Sequence, residues 1–182
     1  MRDFITVALC SLLLVSGALA DQNDPELAGL FDRLQATGDA DEAQVIAQRI
    51  WFVWYEHENA EIEFLMEQGE VSMRRSELED AVSIYSRVID IDPEFAEGWN
   101  RRATIHYLMG EYDLSTSDVK RTLALEPRHF GALSGQGLIH MRQENLQQAL
   151  EYFERALEVN PHMPNIRENV EFLKKELNAD VI

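Results

Sequence analysis

Three prolines, Pro93, Pro127 and Pro161, stand 34 residues apart, and each closes a similar phrase: Val88-Ile89-Asp90-Ile91-Asp92-Pro93, Thr122-Leu123-Ala124-Leu125-Glu126-Pro127 and Ala156-Leu157-Glu158-Val159-Asn160-Pro161. A fixed period of that length is the signature of stacked helical hairpins, each too small to bury its apolar face without a neighbour. Alignment on the prolines divides the chain into units 62–95, 96–129 and 130–163. Other columns then fall into step. Gly69, Ala103 and Gly137 form one column of small residues, and Ala81, Ser115 and Ala149 form another. Small side chains at one level of two helices let their backbones approach closely. Bulky columns surround them: Leu65, Trp99 and Leu133; Tyr85, Val119 and Phe153; Ile89, Leu123 and Leu157. Turn chemistry marks the middle of each unit. Gly110 suits the left-handed residue that ends a helix, and Ser76 with Glu79 reads as a capping box opening the next one.

On these residues the units resemble tetratricopeptide repeats. The middle one matches through Trp99, Ala103, Gly110, Tyr112, Ser115, Leu123 and Pro127, and the third through Gly137, Ala149, Phe153, Ala156 and Pro161. Two columns depart from the family: Gln68, Arg102 and Gln136 stand where leucine is frequent, and Ser72, His106 and His140 where tyrosine is. The resemblance implies an all-α fold, a right-handed superhelical solenoid of antiparallel helix hairpins. Residues 21–61 read as a degenerate N-terminal hairpin through Leu27, Leu30, Leu34, Gly38 and Ala43. Residues 164–182 carry Ile166, Val170, Leu173 and Leu177 on one side of a capping helix.

The first twenty residues are different in kind. Arg2, the apolar run Ile5 to Val15 and the small-x-small triplet Ala18-Leu19-Ala20 read as a cleaved export signal, with a periplasmic destination if the source is bacterial. The run falls short of the roughly 20 apolar residues that span a bilayer as a helix. An uncleaved anchor is the alternative, and a lipid-attachment reading of Val7-Ala8-Leu9-Cys10 a remoter one. Cys10 is the chain's one cysteine, so cleavage leaves no thiol for disulfides, thiolate zinc sites or nucleophilic catalysis. The net charge of −17 argues against nucleic acid or anionic lipid as partner. Phosphate binding draws its affinity from clustered Lys and Arg.

The resemblance also implies where a partner would sit, because the first helix of each hairpin lines a concave groove. By register, Met73, Tyr107 and Met141 form one groove column, Met66, Asn100 and Ser134 a second, and Arg74, Leu108 and Arg142 a third, with Glu70, Thr104 and Leu138 between them. Methionines beside a tyrosine make an adaptable apolar floor. The flanking arginines suit a partner segment that carries a carboxylate. The family's clamp for chaperone C-termini is not expected, since its five positions hold Met66, Glu70, Arg101, Gly131 and Gly135, of which one is basic.

Trp51-Phe52-Val53-Trp54-Tyr55 is the densest aromatic run. Five consecutive residues cannot share one helix face, so at least one ring is expected in solvent or under another molecule. Trp51 and Trp54 either seal the N-terminal hairpin against the first repeat or form a docking patch. His106 and His140 occupy equivalent positions in neighbouring repeats. Helices pack about 8–10 Å apart and zinc needs nitrogens at about 2 Å, so a structural role is the plainer reading of the pair. No nucleophile elbow, phosphate loop or supported carboxylate pair occurs. The sequence therefore points to a binding module without enzymatic activity, cofactor or metal. Its partner is another protein or peptide. A general holdase-type chaperone is the alternative, and an accessory subunit with a metal at His106 and His140 the least supported one.

Overall fold

The computed structural model describes residues 22–179, so the export signal expected over 1–20 lies outside the described residues. Nine helices account for the described fold, and no strand occurs among those residues. They are α1 (Glu26–Ala36), α2 (Ala40–Tyr55), α3 (Ala60–Arg74), α4 (Leu78–Ile91), α5 (Ala96–Met109), α6 (Tyr112–Leu125), α7 (Phe130–Arg142), α8 (Leu146–Val159) and α9 (Pro164–Ala179). From α3 to α9 each helix packs on the next in chain order, which is the stacking a repeat period requires. Each of the three prolines falls in the short turn between the second helix of one pair and the first helix of the next.

The columns behave as their residue types dictate. Gly69 faces Tyr85, whose ring carbon Cζ would lie 2.5 Å from a Cβ at that position, and Gly137 faces Phe153 in the same way, at 2.5 Å from Cδ1. In the middle repeat the same two columns hold Ala103 and Val119, and there the smaller side chain of α6 leaves room for a methyl. The family departures are compensated locally. Arg102 Nε and Nη2 donate to the two oxygens of Asp118 at 2.7 and 2.8 Å, and its Nη1 reaches Ser86 Oγ at 2.9 Å. Gln136 Nε2 donates to Thr116 Oγ1 at 3.3 Å. Arg102 is thus tolerated in a leucine position because it finds hydrogen-bond partners, whereas Gln136 finds partners for its Nε2 and none for its buried Oε1.

One turn differs from the reading of the sequence. Ser76 does not open a capping box: its backbone is left-handed, with φ 60°, and α4 begins two residues later without a side-chain cap. Ser76, Gly110 and Glu144 form a column 34 residues apart, and all three have positive φ, at 60°, 78° and 59°. The turn wants glycine three times and holds it once. Ser76→Gly and Glu144→Gly are each expected to raise stability by about 0.5–1 kcal/mol, the balance of relieved left-handed strain against lost chain entropy, read as a higher urea midpoint at unchanged m.

The N-terminal hairpin departs from the stack. Leu27, Leu30 and Leu34 of α1 pack with Ala43, Ile46 and Ile50 of α2 in a core that also takes in Phe130 from α7. Instead of extending the solenoid beyond α3, α2 crosses its inner face and touches α5 and α7. Arg128 lies over the ring of Phe31 at 4.3 Å, and Gln35 Nε2 donates to the Glu158 carbonyl at 3.1 Å. At the other end, α9 buries Ile166, Val170 and Leu173 against α8.

Candidate functional site

The inner face of the solenoid is built by α3, α5, α7 and α9, the first helices of successive pairs, and it falls into three zones. The first is buried and charged. Glu97, in the opening turn of α5, is fully enclosed, accepts from Arg101 Nε at 2.5 Å and Asn100 Nδ2 at 2.9 Å, and pairs with His129 Nε2 at 3.1 Å. His129 Nδ1 accepts from the backbone N–H of Ala132 at 3.0 Å, so its proton sits on Nε2 and is donated to Glu97. Arg101 also pairs with Glu70 of α3. Burial pushes the Glu97 carboxyl up, but the Arg101 charge and the His129 hydrogen bond outweigh it and leave its pKa below the ordinary value. Burial likewise disfavours the Arg101 cation, and Glu97 and Glu70 more than offset it, raising its pKa. A cation held by two carboxylates has little left to offer a ligand.

The second zone is covered by α2. Trp54 is 1 % exposed and stacks on His129 with ring centroids 4.1 Å apart and planes at 11°. Trp51 meets Phe130 edge-on at 5.4 Å and lies directly over Gly131, where its Cζ2 would be 2.7 Å from a Cβ. The sealing reading of Trp51 and Trp54 therefore fits better than the patch, with a different partner: they close the hairpin onto α7 of the third repeat instead of the first. Phe52 is the ring of this run left in solvent, 52 % exposed, with Arg49 over it at 5.2 Å.

The third zone is open. A cleft of about 290 Å³ runs between α5 and α7, lined by Asn100, Thr104, Tyr107, Leu108, Ser134 and Leu138, with the backbone approachable at Gly135. Leu108 is 54 % exposed beside it. Arg142 Nε donates to Tyr107 Oη at 3.2 Å and fixes the phenol at one end of the cleft. Six of the residues assigned to the groove by register thus meet at one place. Others do not. Met66 is 0 % exposed in the core between α3 and α4, because it sits on the flank of α3 that carries Ile62 and Leu65. Met73 and Met141 are half-buried against the cores of the first and third repeats, and Arg74 pairs with Glu70 at 3.8 Å outside the cleft. The floor is accordingly Tyr107 and two leucines, with no methionine. Reading the sequence alone misses the buried charges and the covering hairpin. For Arg101 and Glu97 the four-residue spacing is the available signal.

His106 Nδ1 meets Glu111 Oε2 at 2.6 Å, and His140 Nε2 meets Gln136 Nε2 at 3.2 Å, each within its own repeat. No group of three or more His, Cys, Asp or Glu that could hold a metal occurs among the described residues.

Comparison with known proteins agrees with this architecture. A family model for the tetratricopeptide repeat matches residues 131–163. A TPR repeat-containing protein of Rhizobium etli is 36% identical over 148 residues, which cover 81% of this chain and 72% of that protein. The chain belongs to the tetratricopeptide repeat family. DnaJ homolog subfamily C member 3 of Mus musculus is 29% identical over 103 residues, covering 57% of this chain but 20% of the relative. Among solved structures, the first tetratricopeptide domain of Spaghetti (RPAP3), bound to an HSP90 peptide, superposes with TM-score 0.62 at 21% identity, covering 65% of this chain and 94% of that one. MamA superposes with TM-score 0.59 at 17% identity over 81% of this chain and 78% of that one. Within this tetratricopeptide chain the repeats supply the scaffold, and the hairpin before them alters the inner face that the repeats alone would present.

Proposed function

We propose that this tetratricopeptide chain is a protein-interaction module that seats an extended segment of a partner in the cleft between α5 and α7. The observation that carries the reading is that cleft: an open apolar slot bounded by Tyr107, Leu108 and Leu138, with the side chains of Asn100, Thr104 and Ser134 as its polar lining. An apolar anchor with a few placed polar groups is how peptide sites combine affinity with orientation. The family relationship supports it, since a structural neighbour was solved with an HSP90 peptide. The clamp chemistry of a chaperone tail is not carried over, because Arg101 is engaged by Glu97 and Glu70. The segment that fits best has one aliphatic or aromatic anchor and a carboxylate placed for Arg142, whose side chain stands at the end of the slot. The apolar N-terminal run Ile5 to Val15 supports an exported location for this activity.

Selection of a random peptide library on the immobilised chain, followed by titration of the selected sequence, tests the assignment. Tyr107→Ala with Leu138→Ala is expected to weaken binding tenfold to a hundredfold, since one buried apolar side chain is worth about 1.5–3 kcal/mol. Unchanged affinity in a variant with intact helical circular dichroism would place the site elsewhere.

A further inference from the structure

We propose that the α1–α2 hairpin is a displaceable cover, an intramolecular occupant of the inner face that opens as a unit and bares the shelf on α7 around Gly131. Four features of the docking point to this. Apart from Phe130 of α7, the core under the hairpin is built from the hairpin itself, Leu27, Leu30 and Leu34 against Ala43, Ile46 and Ile50, so most of it moves with the hairpin. Its seat on the solenoid is made mostly of ring contacts with few polar ties: Trp51 and Trp54 on His129, Phe130 and Gly131, Phe31 under Arg128 and Tyr55 under Arg101, with Val159 and Met163 packed at its edge, Gln22 bonded to the Glu94 carbonyl at 2.6 Å and the Ala96 N–H at 3.2 Å, and Gln35 to the Glu158 carbonyl. Toward α9 it does not close. A cleft of about 710 Å³ separates Ala40, Ala43 and Ala47 of α2 from Pro164, Arg167 and Glu171 of α9. Finally, Trp54 Nε1 is buried in the docked state without an acceptor. A buried donor left unpaired favours whichever state lets water reach it.

The pivot is equally defined. Residues 56–59 join α2 to α3, and His57 there is held by Asp92 Oδ2 at 3.0 Å and packed on Phe95 at 4.8 Å. The link stays pinned to the first repeat while the hairpin beyond it swings. Opening would lengthen the trough, joining the α5–α7 cleft to the face of α9. Occupancy of the inner face by the chain's own tryptophans and by a longer partner segment would then be mutually exclusive. The proposal deepens the groove reading and rests on it for what the bared surface receives, but the opening itself is measured without any ligand.

Hydrogen exchange followed by mass spectrometry on the full chain tests it. Amides of α1 and α2 are expected to exchange together, at least tenfold faster than those of α5 to α8. Gly131→Ala places a methyl under the Trp51 ring and should accelerate α1 and α2 a further tenfold. It should leave α5 to α8 unchanged or slower, because alanine is the better helix former. Trp54→Phe trims the ring stacked on His129 and leaves a cavity in the seat, so it should speed exchange of α1 and α2 severalfold while leaving α5 to α8 unchanged. Exchange of α1 and α2 at the same rate as α5 to α8 in all three proteins overturns the proposal, as does a Gly131→Ala effect spread evenly over the repeats. Loss of the cover on these grounds would leave the peptide titration at Tyr107 and Leu138 standing.

Discussion

Replacing Gly137 with alanine is expected to destabilise the protein by about 1–3 kcal/mol, the usual cost of overpacking a close-fitted core. The sign is informative. In an exposed helix the same change is stabilising by about 1 kcal/mol, because glycine is the poorer helix former. Here the added methyl has nowhere to go: its carbon would lie 2.5 Å from both Cδ1 and Cε1 of Phe153, a fully buried ring. The middle repeat already contains the remedy, since the matching positions there are Ala103 and Val119. Phe153→Val alone leaves a cavity and should cost about 2–4 kcal/mol, whereas Gly137→Ala with Phe153→Val reproduces the pairing of the middle repeat. A double-mutant cycle in urea should therefore give a coupling energy of about 1.5–3 kcal/mol in favour of the pair. Strict additivity would mean that the two columns do not set the helix spacing.

That pairing also marks how far the sequence can be read. Small and large residues alternate across the hairpin with a 34-residue beat, and the beat is visible because each repeat solves one packing problem with slightly different side chains. The turn column is legible too, although Ser76 disguises it. Its Ser-x-x-Glu pattern imitates a cap, yet the same position one period later is Gly110, and that glycine marks all three as left-handed. Met66 shows the limit of register. Counting places it on the inner helix, but a residue adjacent to Leu65 on that helix turns with it into the core. The hairpin cover has no periodic signal. Trp51 finds Gly131 in the third repeat, and nothing local to either residue names the other. Contacts that occur once, between an irregular segment and a regular one, are fixed by three-dimensional fit alone.

Glu97 carries the second large effect. Its carboxylate is 0 % exposed and serves Arg101, Asn100 and His129 at once, and through His129 it also supports the ring on which Trp54 stacks. Glu97→Ala would leave a guanidinium, an amide and an imidazole N–H facing a buried void, with an expected loss of about 3–5 kcal/mol. Glu97→Gln keeps an acceptor and the side-chain shape, so it should cost less. The two variants together separate the charge from the hydrogen bonds. The pH dependence follows from the direction of the shift. With the folded-state pKa held below the ordinary value of 4.5, the stabilisation is fully present above that value and disappears as pH falls through the lower folded one. Acid unfolding of the natural chain should therefore steepen below pH 4.5, while Glu97→Ala, already lacking the linkage, should show a shallower slope there from a lower plateau at neutral pH. Parallel slopes in the two proteins would mean that the Arg101 pairing is silent in stability and that Glu70 alone suffices to neutralise it. The hairpin should respond as well, since His129 without its acceptor is free to turn and loosens the seat of Trp54. Faster hydrogen exchange in α2 of Glu97→Ala than in its α8 would tie the buried charge of α5 to the closure of the inner face.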